Sequence, residues 1–233
     1  MSSDVIVLII CHASTIGSYR IVPEKKMVLA LFKPNIAKLA ANGDSAGLIR
    51  ALQYKRDYRV RAASARALGV ARAQRAVPAL TKALGDEREF VRVKAAEALG
   101  EIADQKAVNT LIHVLGNKNE EIRTIAAVAL GKVGERQAVP SLIEVLSDDE
   151  WEVRRAAVEA LGKLSDTRGV PPLIDALRDP VYDVRIAAAT SLRELGDLRA
   201  VEPLKELQSD TILPVQTAAL IALDKLRGKQ SVI

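Results

Sequence analysis

Histidine and cysteine, the side chains most often used as bases, nucleophiles and metal ligands, are scarce in this sequence of 233 residues. The histidines are His12 and His113, and the single cysteine is Cys11. A structural or catalytic zinc site needs three or four such ligands, and an activated nucleophile needs a base beside it. The sequence therefore predicts no metal site, no cofactor and no catalytic residue.

Carboxylates and glycines could supply other chemistry, but their spacing does not favour it. Asp148 and Asp149 are adjacent acids in a loop that recurs along the chain, so a local structural role explains them better than acid–base catalysis. No Gly-x-Gly-x-x-Gly or Gly-Lys-Ser/Thr phosphate-binding pattern occurs. Gly131-Lys132 and Gly162-Lys163 stand at the ends of recurring helical segments. We therefore expect a protein that is not an enzyme.

The elements that carry these side chains recur with a period of 31 residues. The phrase "FVRVKAAEALGEI" at Phe90 returns as "EIRTIAAVALGKV" at Glu121 and as "EVRRAAVEALGKL" at Glu152. A period of this size indicates a solenoid of stacked repeats. The apolar position that opens each phrase is held in turn by Val60, Val91, Ile122, Val153, Val184 and Val215.

Each unit predicts two helices, the first of which often has a proline near its start. The pattern predicts an all-α fold, a right-handed α-solenoid (superhelix) of six two-helix repeats. A non-repeat N-terminal arm, 1–26, and an N-terminal capping helix, 27–43, precede them. The predicted repeats are 44–74, 75–105, 106–136, 137–167, 168–198 and 199–229.

On each second helix, small and apolar residues share one face, as Val91, Ala95, Ala98 and Ile102 do. Alanine in the middle of this face predicts close packing between neighbouring repeats. An acid or amide residue precedes each second helix by a few positions and is of a type that caps helices. These predicted caps are Asp86, Asn117, Asp148, Asp179 and Asp210.

The combination of a recurring Asp with an Arg six residues later, within "VR..AA.ALG", resembles the HEAT-like repeat family. The resemblance is to the short 31-residue subtype first associated with phycobilin lyases. It covers residues 44–229 and implies that the Asp and Arg residues form a hydrogen-bonded ladder between units. It also implies that second helices line a concave binding surface. A role in bilin attachment or detachment, which needs no obvious local motif, stays open as an alternative.

Aromatic residues cluster at the start of these second helices: Tyr58, Trp151 and Tyr182 share one position of the repeat, and Phe90 takes the next. Each ring could pack onto the preceding unit, or the rings could form a row of anchors for a partner, and both can hold at once. The predicted protein-binding residues on the concave face are Tyr58, Phe90, Val93, Glu97, Trp151, Arg155, Glu159, Tyr182, Ile186 and Thr190.

Positive charge is concentrated in the first unit, where residues 50–75 hold eight Lys or Arg and one Asp. Such a segment is typical of a solvated end unit, of a surface for an acidic protein, or of a nucleic-acid site with Tyr58 as a stacking platform. The predicted basic patch comprises Arg50, Lys55, Arg56, Arg59 and Arg66.

The apolar run Val5–Ile10 is six residues long, against about 20 for a helix that spans a membrane. No Lys or Arg precedes it, so the charged start of a secretory signal is missing. We expect a cytoplasmic protein without membrane contact, in which residues 1–26 could support self-association. The expected function is a non-catalytic scaffold for a protein partner, with bilin-lyase accessory and nucleic-acid binder as alternatives.

Overall fold

The computed structural model describes residues 33–102 and 105–230, with no side-chain detail for residues 229 and 230. Within these ranges the chain forms thirteen α-helices and no β-strand. The described residues confirm the predicted all-α solenoid of helix pairs. The predicted arm, 1–26, with its proposed self-association, and the first six residues of the predicted 27–43 helix lie outside the described residues.

A short helix, α1 (Ile36–Ala41), precedes the repeats. The first helices of repeats 1 to 6 are α2 (Ser45–Ala51), α4 (Val77–Ala83), α6 (Gln105–Val114), α8 (Val139–Glu144), α10 (Val170–Asp175) and α12 (Val201–Glu206). The second helices are α3 (Tyr58–Val70), α5 (Glu89–Ile102), α7 (Glu120–Val133), α9 (Trp151–Leu164), α11 (Tyr182–Leu195) and α13 (Leu213–Gln230). Short 3₁₀ turns flank several first helices: Gln74–Ala76, Arg136–Ala138, Val145–Ser147, Thr167–Gly169, Ala176–Arg178, Leu198–Ala200 and Leu207–Ser209.

The core runs continuously through the stack, because each second helix packs on its own first helix and on the second helices of its neighbours. The predicted inner face is buried: Val91 and Ala95 are fully covered, and Ala98 and Ile102 nearly so. One leucine of each second helix is also fully buried, and each contributes about 1.5–3 kcal/mol by leaving water. These leucines are Leu68, Leu99, Leu130, Leu161, Leu192 and Leu223.

Glycine lets neighbouring second helices touch. A Cβ added at Gly69 would lie 2.7 Å from the Cα of Ala98, and one added at Gly131 would lie 2.8 Å from the Cα of Ala160. These distances are too short for any larger residue, so backbone meets backbone at these joints. At Gly100 the nearest neighbour is instead the Val133 side chain at 3.3 Å. Helices α5 and α7 therefore lie farther apart than the helices of the other two joints.

A fork of hydrogen bonds joins successive repeats at their edge. Arg123 donates from Nε and Nη2 to both carboxylate oxygens of Asp148, 25 residues later, each at 2.7 Å. Its Nη1 donates to the backbone carbonyl of Asn117 in its own repeat. The same fork joins three further pairs: Arg61 to Asp86, Arg154 to Asp179, and Arg185 to Asp210. These guanidinium groups are largely buried, so the bonds are shielded from competing water.

The joint between repeats 2 and 3 lacks this fork. The residue 25 positions after Arg92 is Asn117, an amide where the other arginines meet a carboxylate, and the Asn117 side-chain oxygen accepts from the Asn119 N–H. The Arg92 Nη2 group turns to Glu121, and its buried Nε has no hydrogen-bond partner. This joint is therefore less completely bonded than its neighbours.

The five recurring Asp and Asn residues do not cap the second helices, so that sequence prediction was wrong. Asp148 accepts from the N–H of Glu150, which is itself the N-cap residue of α9. The same bond to the residue two positions on forms at the other four sites. The carboxylate thus shapes the turn before the helix and receives the arginine fork of the preceding repeat.

Replacing Asn117 by Asp should stabilise the protein, because the new carboxylate would receive the Arg92 guanidinium. We expect the free energy of unfolding to rise by about 1–2 kcal/mol, since hydrogen bonds to charged groups are among the stronger ones. Urea unfolding followed by circular dichroism measures this. Asn119→Asp is the matched control: it adds the same charge two residues away and keeps a good capping residue. An equal gain in both variants would contradict the fork as the cause.

The forks should also make stability depend on acid pH. Burial alone would raise the pKa of the Asp86 and Asp148 carboxyls, but the arginine fork and a backbone N–H outweigh it and bring the pKa below the ordinary value. Arg185 lowers the pKa of Asp210 in the same way. The hydrogen bonds of Arg168 lower the pKa of Asp166 to about 2.

Because these pKa values are depressed in the folded state, their contribution to stability is complete above the pKa of an unfolded aspartate. It is lost as the pH falls through the folded values. The urea midpoint should therefore be constant from about pH 7 to 5 and fall between about pH 5 and 2. The decline should be shallower in Asp148→Asn. A decline that is already complete above about pH 5 would contradict the aspartate forks as its cause.

Candidate functional site

The exposed sides of the second helices form one continuous surface, which we call the second-helix face. It is made of α3, α5, α7, α9, α11 and α13, which pack side by side in chain order. Phe90 and Tyr182 are two large side chains on these helices that are exposed to solvent, with 53% and 46% of their surfaces accessible. The face therefore presents aromatic rings to solvent in repeats 2 and 5.

Tyr58 and Phe90 form an aromatic pair across the first two repeats. Their ring centroids are 6.4 Å apart and the rings are perpendicular, which is a favourable edge-to-face geometry. Cations surround the pair: the Arg59 and Arg88 guanidinium groups lie 5.8 and 5.6 Å from the Tyr58 centroid. Lys94 Nζ lies 5.6 Å from the Phe90 centroid. Tyr58 is half-buried against the core, so this ring packs and Phe90 is the open member.

Trp151 is half-buried at the start of α9 and packs against the hydrophobic core. Its outer surface lies under the Arg155 guanidinium, 5.8 Å from the ring centroid. Arg155 also approaches Glu159, at 3.8 Å. The indole is therefore both a packing residue and the base of a small polar cluster at the surface.

A shallow groove of about 300 Å³ lies between α9 and α11, beside Trp151 and Tyr182 along the same helices. Its lining includes four of the residues that the sequence predicted as binding residues: Arg155, Glu159, Ile186 and Thr190. Ile186 packs partly against the core. The structure thus brings four of the six predicted residues of repeats 4 and 5 to one groove, which Trp151 and Tyr182 do not line. Val93 and Glu97 lie on α5 in repeat 2.

Glu97 joins two repeats electrostatically. Its carboxylate accepts from Lys94 Nζ at 2.6 Å and from Lys132 Nζ, on α7, at 3.4 Å. The hydrogen bond from Lys94 is the main reason that the pKa of Glu97 lies below its ordinary value. These lysines are consequently neutralised in part and contribute little free positive charge to the face.

A larger, mainly apolar cleft of about 740 Å³ lies at the N-terminal end, between α1 and α3. Val70 on its wall is 71% exposed, and the later repeats carry a charged residue at this position. Those residues are Glu101, Lys132, Lys163, Glu194 and Lys225. Sequence reasoning missed Val70, although an alignment of the repeats shows that it departs from the pattern.

The predicted basic patch is spread around repeat 1. Arg59 and Arg66 line the cleft together with Lys94. Arg50 is on α2, 4.0 Å from Asp44, and Lys55 and Arg56 lie exposed in the turn before α3. Arg61, another basic residue of this segment, is buried in the fork to Asp86 and also forms an ion pair with Glu87. The cleft therefore collects only part of the charge that the sequence concentrates here.

A second set of inter-repeat bonds also escaped the sequence analysis. Arg168 is held by Asp166 and donates to the backbone carbonyl of Arg136, which lies 32 residues earlier in the turn before α8. Arg199, held by Asp197, reaches the carbonyl of Thr167 in the same way. The sequence signal that predicts these bonds is the pattern Asp-x-Arg, which occurs at Asp166 and again 31 residues later at Asp197.

Within the described ranges, no group of three or more His, Cys, Asp or Glu side chains is arranged to hold a metal ion. His113 is exposed on the first-helix side, at α6. None of the helices described is both long enough and apolar enough to cross a membrane.

The sequence pattern of HEAT repeats matches four overlapping stretches, residues 45–131, 91–150, 109–193 and 139–224, which together span more than half of the chain. The chain belongs to the HEAT repeat family. A comparison with curated proteins finds no match.

Solved structures of low sequence identity share the fold. The complex of CpcE and CpcF of phycocyanin lyase from Nostoc sp. PCC7120 contains a chain that is 24% identical, with a TM-score of 0.59. The match covers 64% of this HEAT repeat chain and 98% of that one. YibA of Escherichia coli is 23% identical with a TM-score of 0.59, over 93% of this chain and 81% of that one. An engineered protein is 23% identical with a TM-score of 0.51, over 79% and 97%.

The two rings of repeats 4 and 5 should differ in their contribution to stability. Trp151→Ala should lower the free energy of unfolding by about 1–3 kcal/mol, less than for a fully buried ring because the indole is only partly buried. Tyr182→Ala should cost less than about 1 kcal/mol, since 46% of the surface of Tyr182 is exposed. Urea unfolding measures both. An equal loss in the two variants would show that Tyr182 also packs.

Proposed function

We propose that this HEAT repeat protein is a non-catalytic scaffold that binds a protein partner along its second-helix face. The observation that carries the proposal is the exposure of Phe90 and Tyr182 at nearly the same position of repeats 2 and 5. Aromatic residues are enriched at protein interfaces, and Trp, Tyr and Arg supply most of their anchors. Both rings lie at the N-terminal ends of their helices, so one partner could contact them along one edge of the face.

The groove between α9 and α11 adds to this argument. It is open and shallow, with Ile186 and Thr190 between charged side chains of both signs. An apolar centre with a polar rim is typical of protein interfaces. Small molecules favour deeper, more enclosed pockets. The proposed anchors in this half of the molecule are Tyr182 and the outer surface of Trp151.

Two alternatives remain. The first is an accessory role in bilin attachment, for which the support is the fold shared with the CpcE and CpcF chains of a phycocyanin lyase. The second is nucleic-acid binding through repeat 1. The ion pairs of Arg61 and Lys94 with carboxylates remove cations from that surface, which favours a protein partner.

Site-specific cross-linking tests the proposal. A photoreactive phenylalanine analogue placed at Tyr182 should cross-link a protein when the full chain is irradiated in native lysate. The same analogue at His113, equally exposed but on the first-helix side, is the matched control. We expect a specific product at Tyr182 that is absent at His113, and its yield should fall at least about fivefold when Phe90→Ala is added, because anchors dominate interface energy.

The identity of the product separates the alternatives. A phycobiliprotein would support the bilin-related role, and cross-linked nucleic acid would contradict the proposal. Equal products at both positions, or none at Tyr182, would show that the second-helix face is not the binding surface.

A further inference from the structure

The joint between repeats 2 and 3 differs from both neighbouring joints in three respects. At this joint α5 and α7 do not meet backbone to backbone, since the nearest atoms to a Cβ at Gly100 are Val133 Cγ2 at 3.3 Å and the Ala129 carbonyl oxygen at 3.9 Å. At the joints of Gly69, Gly131 and Gly162, the facing Cα lies within 2.7 to 3.0 Å of the added Cβ. The wider joint loses the close van der Waals contact that fixes two helices to each other.

The second respect is the missing fork. Arg61, Arg123, Arg154 and Arg185 each donate two hydrogen bonds to the aspartate of the next repeat. For Arg92 the equivalent residue is Asn117, an amide, and the buried Nε of Arg92 has no hydrogen-bond partner. A buried donor without an acceptor raises the free energy of this arrangement. The free-energy difference between this orientation of the two repeats and other orientations is therefore smaller than at the other joints.

The third respect is the burial of the recurring apolar residue near the start of each second helix. In the other five second helices this residue is at most 3% exposed: Val60, Val91, Val153, Val184 and Val215. In α7 it is Ile122, which is only partly buried. Ion pairs take the place of these contacts across the joint, from Lys132 to Glu97 and from Arg92 to Glu121. The Lys132–Glu97 pair is largely exposed, so it contributes little and weakens in salt.

We infer that the joint between repeats 2 and 3 is a hinge, about which repeats 1 and 2 move as one body relative to repeats 3 to 6. Phe90 lies on one side of this joint, and Trp151 and Tyr182 lie on the other. Motion at the joint therefore changes the distance between the exposed rings of the second-helix face. The inference rests on the joint alone and holds whether or not these rings bind a partner.

Distances between spin labels on the full chain, with Cys11→Ser to remove the native thiol, test the hinge. The first pair, Glu101→Cys with Lys163→Cys, spans the joints between repeats 2 and 3 and between repeats 3 and 4. The matched pair, Lys132→Cys with Glu194→Cys, spans the joints between repeats 3 and 4 and between repeats 4 and 5. All four positions are exposed and share one register of the repeat.

We expect the distance distribution of the first pair to be at least about 1.5 times as wide as that of the second, because local opening is easiest where packing is poorest. Adding Asn117→Asp should narrow the first distribution to the width of the second and leave the second unchanged. Raised salt should widen only the first. Equal widths, or a first distribution that Asn117→Asp does not narrow, would overturn the inference.

Hydrogen exchange of the unlabelled chain gives a second measurement that needs no cysteine variants. Amides of α5 and α7 should exchange faster than those of α9 and α11, and Asn117→Asp should slow them about tenfold, which corresponds to the expected gain in hydrogen bonding at the joint. Uniform protection along the six second helices would count against a hinge.

Discussion

The arginine fork is the interaction on which the arrangement of the repeats depends. A repeat of two helices cannot bury its apolar face alone, so the orientation of each repeat is fixed only by its neighbour. The fork stabilises the stack and also fixes the relative orientation of two repeats. A guanidinium that donates to two carboxylate oxygens and a backbone carbonyl is restricted to one geometry. The Asp side chain also shapes the turn before its own helix. One carboxylate thereby couples local backbone conformation to the stacking of the next repeat.

Glycine and alanine allow the close packing of neighbouring second helices, and the fork fixes the orientation of that packing. The short approach at Gly69, Gly131 and Gly162 brings helices together closely enough for the buried leucines to form one continuous core. The second-helix face is the outer side of the same packed layer, so its side chains stand on a surface whose spacing is set by the glycines. Where the distance between second helices changes, as at Gly100, the spacing of side chains on the second-helix face changes with it.

The sequence was sufficient to predict the helix pairs and the buried Val and Ala positions, because each recurs at a constant spacing. The pairing of arginine with aspartate between repeats was implied only by the resemblance to HEAT-like repeats. The sequence predicted the wrong role for Asp86 and its equivalents, since only the structure shows that the helix begins three residues later. The burial of Trp151 and the exposure of Tyr182 at the same repeat position also required the structure. Such differences depend on neighbouring side chains, which vary from repeat to repeat. The same is true of the orphaned Arg92 nitrogen.

The constant offset of 25 residues within each fork has a consequence for how such a chain can change in length. Duplicating or deleting any whole unit leaves every remaining arginine facing the turn of the unit that follows it. Copying repeat 4, which carries Asp148, would add a fully bonded joint. Copying repeat 3, which carries Asn117, would add a second imperfect one, since Arg123 would then face an amide. Repeat number can therefore evolve by recombination without repacking, and the choice of the copied unit decides whether the new joint is rigid or loose.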